Sequence, residues 1–144
     1  MTDLWLAIGH HLLVFTLLGL LVAEAMMLRP QMSVLEVRRV ASLDGLYGLT
    51  AVAVIAVGVC RVFFGLKGPE AYVHNPWFWA KMAAFAVVGL ASIGPTVTLI
   101  GWNGRLKRDP SDLPESAAIA KLRRYLTVEL AAFAAIPVFA AARA

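Results

Sequence analysis

The chain has 144 residues, 60% of them hydrophobic and 15% charged; a soluble domain carries about a quarter charged residues, so an ordinary water-soluble fold is excluded. This length suits one domain and leaves no room for a separate soluble catalytic module. The net charge of +4 does not point to nucleic acid, because the basic residues crowd beside the apolar stretches, where a topology signal puts them.

Four apolar stretches follow one another, at 4–27, 43–65, 76–101 and 120–142. Each has about the 20 residues that a helix rising 1.5 Å per residue needs to cross roughly 30 Å of hydrocarbon. The runs are continuous rather than alternating, which argues against a transmembrane barrel and leaves helices to satisfy the backbone in lipid. The expectation is an all-α integral membrane bundle of four antiparallel helices, forming a single domain over 1–144. The first stretch contains Ala23-Glu24-Ala25, which has the look of a signal-peptide cleavage site. Met1-Thr2-Asp3 lacks the Lys or Arg of a signal sequence, so the stretch is read as a retained helix.

Arg29-Pro30 closes the first stretch, and the polar run from Gln31 to Arg39 reads as a connection. That run has the spacing for a short amphipathic helix, with Val34, Val37 and Val40 on one side. Ser42, ahead of Asp44, is placed as the N-cap of the second helix. Gly65-Leu66-Lys67-Gly68-Pro69 is a break. The third helix starts near Pro76 and carries Pro95, where a kink is expected. A charged loop from Asn103 to Glu115 leads to the fourth helix, which holds Pro137 near its far end. The first connection carries Arg29, Arg38 and Arg39; the third carries Arg105, Lys107, Arg108, Lys121, Arg123 and Arg124; the second has Lys67. The positive-inside rule then puts the first and third connections in the cytoplasm. In a bacterial inner membrane both termini would be periplasmic.

A charge in lipid is costly and marks a protein interior or a water-filled site. With this topology His10, Arg61 and Lys81 fall in an outer, basic layer, and Glu24, Asp44 and Glu129 in an inner, acidic one. At 100° per residue His10 and Glu24 come within about 40° of one another, whereas His11 lies about 140° from Glu24. His10 is therefore expected to turn inward. Lys81, Trp77 and Ser92 share a face of their helix. A neutral histidine is the commonest metal ligand, haem iron included, and Arg61 and Lys81 have the charge to hold acidic groups such as porphyrin propionates. The alternative for His10 is a packed polar residue. Arg61 and Lys81 are also near enough to the interface to snorkel, and Trp77 and Trp79 suit an aromatic belt. The three acids have Arg39, Arg123 and Arg124 as prospective ion-pair partners. His74 reads as a solvated loop residue. Cys60 is the lone cysteine, read as packing, and there is no Cys-x-x-Cys-His haem attachment or paired zinc spacing, so any cofactor would be held non-covalently.

Ser42-Leu43-Asp44-Gly45-Leu46-Tyr47-Gly48, Arg61-Val62-Phe63-Phe64-Gly65-Leu66-Lys67-Gly68 and Asn75-Pro76-Trp77-Phe78-Trp79-Ala80-Lys81 resemble a bacterial family of four-helix membrane proteins (domain of unknown function 2214) over essentially the whole chain. That resemblance implies a membrane location. A more distant likeness is to the HemJ-type protoporphyrinogen oxidases. In that family a histidine follows Leu-Trp early in helix one, as His10 follows Leu4-Trp5, and a lysine ends a Trp-x-His-Ala-Lys pattern, as Lys81 ends Trp77-Phe78-Trp79-Ala80-Lys81. Trp79 stands at that pattern's histidine, the family's last-helix Asn-Glu-x-Pro is missing, and Glu129 is a loose stand-in. The likeness implies haem b bound between the helices, with His10 as axial metal ligand, Lys81, Arg61 and Trp77 around the porphyrin, and a possible oxidoreductase role. The rivals are an ion- or proton-conducting transport component, and a structural subunit of a membrane complex. Small-residue runs at Ala83-Ala84, Gly89-x-x-Ser92 and 131–135 suit either internal packing or a homo-oligomer in the lipid bilayer.

Overall fold

The computed structural model describes residues 2–65 and 68–141, without the side chains of residues 2, 3, 71 and 137–141. Among the described residues the chain is all-helical: α1 Thr2–Met27, α2 Val34–Phe64, α3 Gly68–Val73, α4 Pro76–Arg108 and α5 Ser116–Ala141. Lys67 and the last residue of the fourth apolar stretch lie outside the described residues. Of the long helices, α1 from Leu4, α2 and α4 are long and apolar enough to cross a membrane.

Each long helix carries one narrow buried seam at alternating three- and four-residue spacing. On α1 it is Leu17, Leu21 and Glu24, continued by Leu28 just past the helix end; on α2 it is Val37, Val40, Asp44, Tyr47 and Val54; on α5 it is Ile119, Leu122, Leu126, Glu129 and Phe133. On α4, Val88, Pro95, Leu99, Trp102 and Leu106 do the same. Spacing of this kind keeps one edge of a helix against its neighbours. The remaining surface is also apolar, and Phe15, Leu49, Val52, Leu90, Ile100 and Val128 are all more than three-fifths exposed, which suits contact with lipid rather than water. α1 packs on α2 and α5, and α4 packs on α2 and α5. The four long helices thus form a ring, with α1 diagonal to α4 and α2 diagonal to α5.

Helix boundaries differ from the apolar stretches where polar residues continue a helix. α2 begins at Val34, so the expected separate amphipathic helix is its first turns, and Val37 and Val40 are fully buried. The N-cap is Ser33, not Ser42: Ser33 Oγ accepts from the Glu36 N–H at 3.3 Å, and Glu36 Oε2 accepts from the Ser33 N–H at 2.7 Å. This reciprocal capping box satisfies two of the donors a helix start leaves open. Ser42 lies inside the helix and donates to the Arg38 carbonyl at 2.9 Å. Ser33→Ala should therefore cost about 1 kcal/mol of stability, whereas Ser42→Ala should be near neutral. Unfolding midpoints of the two variants in detergent distinguish the caps.

α4 likewise runs on through Asn103 to Arg108, residues expected to be loop, and continues past Pro95 as one helix. At 31 and 33 residues, α2 and α4 are roughly 47–50 Å long, well beyond the hydrocarbon thickness, so their charged ends protrude at the basic side. Asp109 caps α4 and accepts hydrogen bonds from the Ser111 hydroxyl at 2.6 Å and N–H at 2.9 Å, which hold its carboxyl below the ordinary range. The second connection, expected as loop, contains α3. Gly68 opens it at φ 68°, a left-handed conformation that favours glycine. Asn75 caps α4 through the Trp77 N–H at 3.0 Å, and Trp5, Trp77 and Trp79 are exposed at this end, as an aromatic belt would be. The Ser116 hydroxyl donates to the Pro30 carbonyl at 2.6 Å and ties the start of α5 to the first connection.

Candidate functional site

The seams bring three acids into one layer. Glu24 is 1% exposed, Asp44 5% and Glu129 2%, and Glu24 lies close enough to the other two to act on both electrostatically. Asp44 and Glu129 each have a hydroxyl as hydrogen-bond partner. The Tyr47 phenol donates to Glu129 Oε1 at 3.0 Å, and the Thr96 hydroxyl donates to Asp44 Oδ1 at 2.8 Å. Glu24 Oε1 and Glu129 Oε2 are buried with no hydrogen-bond partner. The Tyr47–Glu129 bond crosses the diagonal of the ring, from α2 to α5, which share no backbone contact. The Thr96–Asp44 bond adds α4, so all four long helices meet at this layer.

The expected arginine partners are not the ones found. Arg39, Arg123 and Arg124 are exposed, and among the described residues the sole ion pair is Arg105 to Asp112 at 3.6 Å on the surface. For the two arginines of α5 the reason is direction. Arg123 and Arg124 stand six and five residues before Glu129, about 120° and 140° around α5 from it, so they face outward while it faces in. Among the described residues no three His, Cys, Asp or Glu side chains converge on a metal-sized point. The carboxyls share a layer without sharing one coordination centre.

The outer layer is arranged differently. His10 is half-buried and His11 exposed, the order the helical angles predict. The His10 ring packs on α2: its Cε1 is 3.5 Å and its Nδ1 3.8 Å from where a Cβ on Gly58 would lie. Nδ1 is buried without a partner, and the ring interacts with the Val54 backbone and the Arg61 charge. Arg61 is half-buried with an unpartnered Nε. Lys81 stands seven residues before Val88 on the α4 seam, yet it is exposed, as is Trp77. His10 and Arg61 are brought near one another, whereas α1 and α4, which carry His10 and Lys81, are diagonal and Lys81 is exposed. The free His10 nitrogen is the kind of atom iron takes, but it is turned against the Gly58 backbone, and a flat macrocycle there would have to part α1 from α2.

Tyr47 and Thr96 are the two residues of the site that ionisable groups in apolar runs did not reveal. Tyr47 is detectable in retrospect, since it lies three residues after Asp44 on one helix face. Thr96 carries no such signal, because threonines commonly bond within their own helix, as Thr98 does to the Gly94 carbonyl at 2.9 Å. Gly89, Ala131, Ala132 and Ala134 face outward, so those small residues do not serve the packing of this bundle.

A chain whose described residues are all helical or connecting, with an outward apolar surface and three helices among them fit to span, is a polytopic membrane protein. It belongs to the family described as "Predicted membrane protein (DUF2214)", which it matches over residues 2–144. No curated protein and no solved structure matches the chain.

Proposed function

We propose that this protein is a four-span membrane component that binds and passes protons through the carboxyl layer of Glu24, Asp44 and Glu129. α5 serves as the fourth span: it is 26 residues long and closes the ring with α1 and α4. The observation that carries the reading is a set of three buried carboxyls from three helices, two of them with hydroxyl partners, and none with an ion-pair partner among the described residues. Ionisable groups inside membrane helices mark ion and proton pathways by default. A proton is the occupant that suits separated carboxyls, since each can hold it alone, and the Tyr47 and Thr96 hydroxyls are both donors and acceptors. The spacing of the acids gives less support to a metal ion, and the His10 geometry gives less to a porphyrin or a redox role.

The test is proton entry into proteoliposomes loaded with a pH-sensitive dye, driven by a potassium diffusion potential. Wild-type vesicles should acidify faster than protein-free ones, and Glu24→Gln, Asp44→Asn and Glu129→Gln should each reduce the difference at least tenfold. Wild-type vesicles no faster than empty ones would refute proton passage. Unchanged flux in all three variants would remove these carboxyls from the route.

A further inference from the structure

The carboxyl layer leaves the basic end of the bundle unexplained. There the connection that follows α1 and the first turns of α5 line a groove of about 250 Å³. Leu28 and Ile119, both buried, form its apolar floor, and Arg29, Arg123 and Arg124 form its rim. The groove is held in shape by the Ser116–Pro30 hydrogen bond, which fixes the chain beside Arg29 against the start of α5. Thr127, also in the lining, spends its hydroxyl on the Arg123 carbonyl at 2.8 Å and so stiffens the same turns. Arg29 feels the Glu36 carboxylate. Arg123 and Arg124 have no ion-pair partner among the described residues.

We propose that this groove is a binding site for an anionic phospholipid of the leaflet that meets the basic end. The arginines take the phosphate and the apolar floor takes the first carbons of an acyl chain. Guanidinium groups suit phosphate oxygens because their donors match bidentate geometry, and basic pockets between membrane helices are where anionic head groups lodge. Headgroups lie at this height, since the hydrocarbon-spanning part of α5 begins just beyond the arginines. A second groove, about 560 Å³ and lined by Arg38, Arg39, Leu35 and Leu46, is wider and takes both of its arginines from one helix. It carries two arginines against three, with Met27 as its one lining residue from α1, and so serves as the control. The inference rests on the membrane reading and is independent of proton passage.

The experiment is native mass spectrometry of the purified protein released from micelles containing equimolar phosphatidylglycerol and phosphatidylcholine. The wild type should retain phosphatidylglycerol over phosphatidylcholine by about tenfold, because arginines near the surface favour an anionic headgroup. Arg123→Gln/Arg124→Gln should fall to the bulk ratio, and Arg123→Lys/Arg124→Lys should recover part of the preference. Arg38→Gln/Arg39→Gln should keep it. Three results would overturn the site: an undiminished preference in Arg123→Gln/Arg124→Gln, an equal loss in the control pair, or displacement of the lipid by millimolar inorganic phosphate, which would make it a site for free phosphate.

Discussion

Glu24→Leu is expected to raise the stability of the protein and abolish its proton flux. Glu24 is 1% exposed, its Oε1 has no partner, and it stands between Leu21 and Leu28 on the α1 seam. A buried polar group without a hydrogen bond costs about 1–3 kcal/mol on protein mutational scales. Its neighbours Asp44 and Glu129 add like charge rather than compensation. Leucine is close to glutamate in size and removes both penalties, so the gain should be of order 1–3 kcal/mol, read as a higher unfolding midpoint in mixed micelles. A group that destabilises the fold and is nonetheless held in its centre has the profile of a functional residue, since activity commonly opposes stability at such sites. Lower stability in Glu24→Leu would mean that Glu24 acts as a structural contact. Flux persisting in the more stable variant would take Glu24 out of the path.

Tyr47→Phe should act in the opposite direction. The phenol is the donor that Glu129 has, and without it both oxygens of a carboxyl 2% exposed are left without partners. Hydrogen bonds to ionisable acceptors contribute about 1.5–3 kcal/mol, and leaving one partner stranded incurs the full loss. Because this bond is the direct link across the α2–α5 diagonal, the loss should fall on the whole bundle rather than on one pair of helices. Adding Glu129→Leu to Tyr47→Phe removes the stranded group, and the double variant should regain most of the lost stability. A double variant less stable than either single one would show that the two side chains do not act as a pair. In the flux assay Tyr47→Phe should slow proton entry without abolishing it, since Thr96 and Asp44 still hold their hydrogen bond.

These two expectations rest on how the acids are held, and that was only partly legible in the chain. The apolar stretches, the acids inside them and the inward turn of His10 follow from local rules: helix periodicity fixes where each residue points around its own axis. The seam spacing is visible as well, with Glu24 falling three residues after Leu21 just as Glu129 falls three after Leu126. The start of α2 was obscured because two serines each precede a helix-compatible run. Ser33 is the cap because Val37 and Val40 find a buried face against the neighbouring helices, and because polar residues beyond the hydrocarbon remain helical at little cost.

Sequence by itself determined that this is a helical membrane protein, which way its basic ends gather, and which few acids lie within its apolar spans. Tertiary structure decided what those acids meet. It set Tyr47 on Glu129 across 82 positions and Thr96 on Asp44 across 52, left Arg39, Arg123 and Arg124 at the surface, and packed His10 against Gly58 of α2. The physical reason is that a helix carries its angular pattern within its own residues, whereas its rotation and axial offset against a neighbour are fixed by the packing of all the seams at once.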